Sequence, residues 1–383
     1  MSDSPSTRLA TRLSFLVAGF GVACWGPLVP FAKLRLAVDE GVLGALLLCL
    51  GAGSVLAMLV TGALSSRFGT RPVILLGGFG LCAVLPLLAI LPTALTLGAG
   101  LLVFGASLGS LDVAMNIHAV EVEKGAGRPL MSGFHALFSI GGFAGSLMMA
   151  LLLSLGASAL LGALLGALLM ALALAYAAPR LMRTRTAENR PEDGPHFALP
   201  RGIVLVLAGL TAITFLAEGA LLDWGALFLT EAGLVDVKLG GFGYMFFAMA
   251  MTLGRLTGDA LTARIGDRAA LLWGGALAVA GFGVLIAAPV AWVAWAGFVL
   301  IGLGAANIVP VLFRQAASQT QMAAAQAIAA ISTTGYAGVL LGPAAIGLVA
   351  EYAGLKMSFA MLAGLICLVP LCSAFVVRSG RPA

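Results

Sequence analysis

Apolar residues fall along this chain in long blocks, and the breaks between blocks are short, marked by glycine or proline, and often basic. A helix needs about 20 apolar residues to cross a bilayer. On that scale the pattern predicts twelve crossing helices, at approximately 13–33, 41–64, 73–92, 95–118, 130–154, 157–178, 202–228, 239–262, 269–289, 291–313, 325–349 and 356–377. The first block, Leu13 to Phe31, exceeds a secretory signal core and lacks a small-residue cleavage site, so it reads as a retained span. The one long polar interruption is "PRLMRTRTAENRPEDGPHFALP", Pro179–Pro200, whose prolines and mixed charges read as a linker. It divides the chain into a six-helix bundle over 1–178, a linker over 179–200 and a second six-helix bundle over 201–383.

Composition fixes the solvent. Of 383 residues, 61% are hydrophobic and 10% charged. Soluble domains carry roughly 25% charged residues, so this chain could not cover a water-facing surface, and a multi-pass membrane protein in a lipid bilayer follows. The five cysteines (Cys24, Cys49, Cys82, Cys367, Cys372) lie in apolar blocks with no CxxC pair or metal spacing, which argues for packing rather than disulfides or zinc. The net charge of +5 has a topological reading. With the N-terminus inside, seventeen of the 21 basic residues fall on the inner side, and only Lys33, Arg35, Lys238 and Lys356 fall outside. That asymmetry predicts both termini in the cytoplasm and an even number of spans. There is no basic run with interleaved aromatics, so no nucleic-acid partner is expected.

The two halves repeat each other. "RFGTRPVILLGG" (Arg67–Gly78) precedes the third block and "RIGDRAALLWGG" (Arg264–Gly275) the ninth; Arg67, Gly69, Arg71, Leu75, Gly77 and Gly78 match Arg264, Gly266, Arg268, Leu272, Gly274 and Gly275 at an offset of 197 residues. The same offset pairs Gly105 with Gly302, and "GFAGSL" (Gly142–Leu147) parallels "GYAGVL" (Gly335–Leu340). Two six-span repeats in one orientation are the organisation of duplicated membrane carriers.

On these residues the chain resembles the major facilitator superfamily along essentially its whole length. The family's loop between spans two and three reads G-x-x-x-D-[RK]-x-G-[RK]-[RK]. Here it is "GALSSRFGTR", with Gly62, Arg67, Gly69 and Arg71 in place, Ser66 in place of the aspartate and Thr70 in place of a basic residue. The second copy keeps Arg264, Gly266 and Arg268 with Ala263 at the acid position, and Asp259 lies four residues after Arg255. The resemblance implies that these residues form a cytoplasmic gate, in which an Arg255–Asp259 pair replaces the missing acid. Within the superfamily, "LDVAMNIHAVEVEK…GRPLMSGFHALFSIGG" is similar to the rhizopine-transporter-like subgroup, itself distantly similar to fucose permease. That similarity implies a permease of the bacterial inner membrane for a sugar- or polyol-like solute.

The candidate chemistry is polar residues inside apolar blocks. Gly105, Gly109, Asp112 and Asn116 are spaced four, three and four, which aligns them in one stripe of a helix, about two-thirds of the way toward the cytoplasm at Asp112. Lipid is a poor neighbour for that stripe: an ionised aspartate at the bilayer centre costs about 2.5–3.5 kcal/mol on insertion scales. His135, Ser139, Gly142 and Ser146 repeat the spacing in span five, and the short turn "KGAGRP" lets His135 approach Asp112 or Asn116 and share a proton. His118 lies off the stripe, near the predicted water interface. In the second half Glu218 occupies span seven with Thr211, Thr214 and Gly225 on its face; Asp223 and Trp224 lie in the outer third as an outer gate or interfacial anchor. Trp25, Asn307, Thr333 and Tyr336 are cavity candidates: the resemblance places spans one, four, seven and ten, which hold Trp25, Asp112, Glu218 and Asn307, along a central path, and Thr333 and Tyr336 belong to a polar cluster in span eleven. No phosphate loop, nucleophilic triad or metal set appears, so neither an enzyme nor a cofactor is expected.

The expectation is therefore an all-α membrane protein of twelve helices in two pseudo-symmetric bundles. It works as a monomeric secondary transporter that moves a small solute by alternating access with proton symport. Asp112, Asn116, His135 and Glu218 serve coupling or substrate. A proton-antiport exporter of drugs or metabolites uses the same fold. A non-transporting sensor or scaffold is the reading from another class, against which the short tails and linker argue.

Overall fold

The structure is a computed structural model that describes residues 4–127, 130–182, 200–322 and 324–378. Its elements are α1 (Pro5–Trp25), α2 (Val29–Leu36), α3 (Glu40–Phe68), α4 (Thr70–Leu88), α5 (Ala94–Ala126), α6 (Met131–Ser154), α7 (Ala159–Ala177), α8 (Ile203–Glu231), α9 (Phe242–Ile265), α10 (Asp267–Ala287), α11 (Ala291–Ala305), α12 (Ile308–Ser318), α13 (Ala324–Ile366) and α14 (Leu368–Arg378). Among the described residues, eleven segments are long and apolar enough to cross a membrane. The last of them contains Gly354 (φ 80°, ψ 161°), where α13 breaks, so it makes two crossings and the chain has twelve. The predicted linker lies mostly outside the described residues; its first residues form a single 3-10 turn, Ala178–Arg180.

Local chemistry sets the helix ends. Ser4 accepts a hydrogen bond from the Thr7 amide ahead of Pro5, Asp39 from Val42, and Ser158 from Leu161, each satisfying an orphan amide of the first turn. Thr93 and Thr96 form a capping box at α5. Span one is interrupted at the 3-10 turn Gly26–Leu28, where Pro27 and Pro30 cannot donate to the preceding turn. Span ten is interrupted between Ala305 and Ile308.

The expected boundaries fall eight residues short at the start of span one, which opens at Pro5, and at the end of span four. The block was expected to end at 118, but α5 continues to Ala126, where Gly127 (φ 62°) closes it. The glutamates and the lysine after His118 are good helix formers, so the helix outruns the apolar block. Asp112 consequently lies two residues beyond the midpoint of its helix.

The residues fall into two compact units, one of Met1–Arg190 with Asp236–Met245, the other of Pro191–Val235 with Phe246–Ala383. Within each, close helix crossings occur at glycines. In the first unit a Cβ on Gly105 would stand 1.8 Å from the Leu50 carbonyl oxygen, and one on Gly77 2.7 Å from that of Ser107. In the second unit, Gly302 meets the Phe247 carbonyl oxygen at 2.5 Å and Gly274 that of Gly304 at 2.7 Å. Not only the glycines but their partners are 197 residues apart. Gly145 on Phe20 and Gly338 on Ala212 repeat the device between spans one and five and between spans seven and eleven, at 2.5 and 2.4 Å. No side chain fits these contacts, which is how membrane helices gain dispersion contact without a hydrophobic driving force. The turns repeat as well: Gly69 (φ 87°, ψ 158°) joins spans two and three, and Gly266 (φ 79°, ψ 159°) joins spans eight and nine. That conformation is open to glycine and costly for other residues.

At the far end of the first unit, Arg35 donates to the carbonyls of Leu88 (2.9 Å), Ala89 and Leu91 (3.1 Å), which closes the C-terminus of α4. Lys33 pairs with Glu40 at 2.5 Å across the turn between spans one and two.

Candidate functional site

The second unit holds an ion pair near the middle of two helices. Glu218 is one residue past the midpoint of α8, and Arg255 stands near the midpoint of α9. Arg255 Nη2 donates to Glu218 Oε2 at 3.5 Å. The other carboxylate oxygen, Oε1, is buried and has no hydrogen-bond partner. The neighbouring hydroxyls do not serve it: Thr211 and Thr214 are fully buried and donate to the carbonyls of Leu207 and Leu210. The side chains remain partly exposed, 22% for Glu218 and 36% for Arg255. The sequence grouped Arg255 with Asp259 near the inner end of span eight. The structure places it near mid-helix against a carboxylate of span seven, and the side chain of Asp259, its partner in the sequence reading, lies outside the described residues. The spacing of Arg255 and Asp259 within one helix could not reveal a partner contributed by another. Gly225, assigned to the Glu218 face, packs against the Phe298 ring of α11.

In the first unit the predicted stripe divides by function. Gly105 and Gly109 press on α3, the latter with a Cβ position 2.4 Å from the Ser54 carbonyl oxygen. One turn on, Asp112 and Asn116 are half-buried, and the Asn116 amide donates to the Asp112 carbonyl at 2.9 Å and to its Oδ1 at 3.4 Å. His135 is exposed on α6, with its ring edge-on to Phe15 of α1 at 5.1 Å. Ser146, on the same stripe, is buried and donates to Gly142.

Two polar contacts emerge that the sequence reading missed. His118, expected near water, is fully buried, and its Nδ1 lies 3.1 Å from Oγ1 of Thr70, the first residue of α4. Its Nε2 has no partner. The equivalent position in the second unit holds Asp267, the first residue of α10, which accepts from Gln315 at 2.6 Å and pairs with Arg314 at 3.5 Å. Thr70 and Asp267, and His118 and Gln315, are again 197 residues apart. The signal was available: extending the repeat alignment by one residue past Gly69 and Gly266 sets Thr70 opposite Asp267. The motif's usual acid position, where Ser66 and Ala263 stand, gives no pointer to Asp267.

The remaining candidates are distributed as follows. Trp25 is fully buried at the break in span one, with an unpartnered indole nitrogen. Trp224, read as an outer gate or interfacial anchor, is fully buried too, and Asp223 beside it is half-buried. Asn307 serves packing: its amide donates to the Gly254 carbonyl at 3.2 Å, and its Oδ1 covers Gly258. Thr333 is exposed, and the side chain of Tyr336 lies outside the described residues. Of the gate motif, Arg67, Arg264 and Arg268 are exposed and Arg71 is half-buried; Arg67 lies over the Phe68 ring at 5.2 Å. Gly62 has nothing within 4 Å of a Cβ built on it among the described residues.

Comparison with known proteins agrees with this architecture. The model of the Major Facilitator Superfamily matches residues 13–325. An MFS-type transporter of Yersinia pestis is 46% identical over 373 residues, covering 97% of this chain and 96% of the relative. Membrane protein MosC of Rhizobium meliloti is 31% identical, covering 98% and 92%. Among solved structures, the nucleoside transporter NupG superposes with a TM-score of 0.75 at 16% identity, covering 98% of this chain and all of that one. A D-xylose-proton symporter superposes with a TM-score of 0.74 at 14% identity, covering 98% of each. The duplicated glycine crossings, the twelve spans and these matches together establish that the chain belongs to the Major Facilitator Superfamily, as a multi-pass membrane transporter rather than an enzyme.

Proposed function

We propose that this transporter carries a small polar solute together with protons into the cell across the bacterial inner membrane, as a monomer with both termini in the cytoplasm. Its two bundles, 1–178 and 201–383, alternate access to a central site. Asp112 and Glu218 are the acids that titrate, and Asn116 and His135 assist Asp112. The observation that carries the reading is the state of Glu218: one oxygen engaged by Arg255, the other buried and bare. An ionised carboxylate near mid-membrane is costly, and a single distant guanidinium contact compensates it incompletely. A proton on Oε1 removes that cost, and Arg255 stabilises the form that has released it. The gate consists of Arg67, Arg71, Arg264 and Arg268 at the two glycine turns, to which Asp267, Arg314 and Gln315 add the acid and amide that the motif lacks at its usual position.

The test uses purified protein in proteoliposomes, with a solute selected by thermal-shift screening of sugars, polyols, amino acids and cationic compounds. Addition of that solute to wild-type vesicles should drive a pH change, and Asp112→Asn with Glu218→Gln should abolish it. Proton flux that persists in the double variant would remove the assignment.

A further inference from the structure

The turns at Gly69 and Gly266 are built alike, but the contacts that hold them differ in chemistry. Thr70, the first residue of α4, is buried, and its Oγ1 lies 3.1 Å from Nδ1 of the fully buried His118 on α5. Two polar atoms of this assembly are buried with no hydrogen-bond partner: Nε2 of the same ring, and Oγ of Ser65, whose carbonyl accepts from the Gly69 amide at 2.9 Å. In the second unit the same places hold Asp267 and Gln315, bonded at 2.6 Å, with Arg314 at 3.5 Å from the acid. An acid in the first turn of α10 complements the positive end of that helix. An imidazole against the first residue of α4 is tolerated there only while it is uncharged.

A proton changes the first contact and not the second. Neutral, the His118 ring has one nitrogen against Thr70 and one bare. Protonated, both nitrogens donate, and Nε2 presents a charged N–H where no acceptor meets it. The acids next along α5 are engaged elsewhere: Glu121 faces Lys124 at 3.9 Å, and Glu123 accepts from the Leu130 amide at 2.6 Å. Among the described residues at the same end of this unit, the other elements packed against α5 bring bases: Arg67 at the end of α3, Arg71 on α4, Arg8 and Arg12 at the start of α1, and His135 on α6. A charged ring would therefore meet the positive end of α4 and like charges, without a carboxylate in contact. Exposure to water relieves each of these costs. The Gln315 amide does not titrate, so the second contact has no such response.

We infer that Thr70 and His118 form a proton-operated catch on the turn between spans two and three: the neutral ring holds the start of α4 against α5, and protonation of the ring releases it. The open form takes up the proton, so the catch holds at high pH and is lost as pH falls. This is a role apart from the proton carriage assigned to Asp112 and Glu218. Its consequence for transport rests on the reading of the two glycine turns as the cytoplasmic gate: acid in the cytoplasm loosens the first half of that gate, while Asp267 and Gln315 keep the second half fastened.

The experiment is backbone hydrogen exchange of the full-length protein in detergent, read by mass spectrometry and corrected for the intrinsic pH dependence of exchange. It compares the peptide over residues 65–72 with the peptide over residues 262–269, so the second turn serves as the control within one molecule. Between about pH 8 and about pH 5.5, protection of the first peptide should fall about tenfold, the effect of one proton taken up on opening, and protection of the second should change less than about twofold. His118→Gln, whose amide can still meet Thr70 without titrating, should abolish the fall. If that variant does not fold, His118→Leu replaces it. The inference is overturned if the first turn keeps its protection in acid, if the fall persists in the variant that does not titrate, or if both turns loosen together. Asp112→Asn with Glu218→Gln should leave the fall in place; its disappearance there would assign the response to the carrier acids and overturn the catch as well. The catch is read from protection and the carriers from proton flux, so either can fail while the other stands.

Discussion

The two units share their packing and differ in their polar equipment. At an offset of 197 residues, glycines and the carbonyls they press on recur: Gly105 on Leu50 with Gly302 on Phe247, and Gly77 on Ser107 with Gly274 on Gly304. The arginines at the two glycine turns recur as well, but the charged residues near mid-helix do not. Val309 stands where the first unit has Asp112, and Met58 stands where the second has Arg255. Between these extremes lie contacts kept in place but changed in chemistry. The hydroxyl pair Thr61–Ser110, at 3.4 Å, corresponds to Gly258 and Asn307, and the Thr70–His118 contact corresponds to Asp267–Gln315. Duplication thus sorts the residues. Positions held in both copies maintain the helix crossings, and polar residues held in one copy are where chemistry is to be sought.

The largest effects expected fall on the shared positions. Gly105→Leu and Gly302→Leu should each lose about 3 kcal/mol or more, because backbone carbonyls occupy the space and only a shift of a whole helix can make room. Thermal unfolding in detergent should show matched losses. A large loss at one site and none at the other would break the equivalence of the two copies.

The altered contacts should give intermediate and unequal effects. Gln315→Leu leaves Asp267, whose side chain is 18% exposed, without its short hydrogen bond, at a cost of about 1–3 kcal/mol. His118→Leu removes a ring whose Nε2 has no partner but leaves the buried, uncharged Thr70 hydroxyl without its contact, so its cost should be about 1 kcal/mol, below that of Gln315→Leu. Equal losses in the same unfolding assay would mean that the two contacts carry the same load despite their different chemistry. Gly62→Ala should have the smallest effect, within about 0.5 kcal/mol, since nothing lies within 4 Å of the added carbon. A large loss there would mean that Gly62 meets a neighbour in a conformation other than this one.

Much of the scaffold was legible in the sequence. Apolar block length marks crossings because lipid demands it, and the repeat glycines mark close contacts because no other residue fits. The site was legible only in part. Glu218 and Asp112 could be picked out as charges inside apolar blocks, but the partner of Glu218 could not, since Arg255 lies 37 residues away in a different helix. His118 was misplaced because α5 outruns its apolar block. Asn307 looked like a cavity residue by position alone; its amide is taken up by the Gly254 carbonyl.

In the proposed cycle the proton is carried by Glu218, a polar residue without a counterpart in the other half. Its most direct test is Glu218→Gln in proteoliposomes, with uphill accumulation under a pH gradient compared with equilibrium exchange of the same solute. Exchange should remain within about threefold of wild type, since the amide preserves hydrogen bonding, while accumulation should disappear. Accumulation that persists at the wild-type level would contradict it.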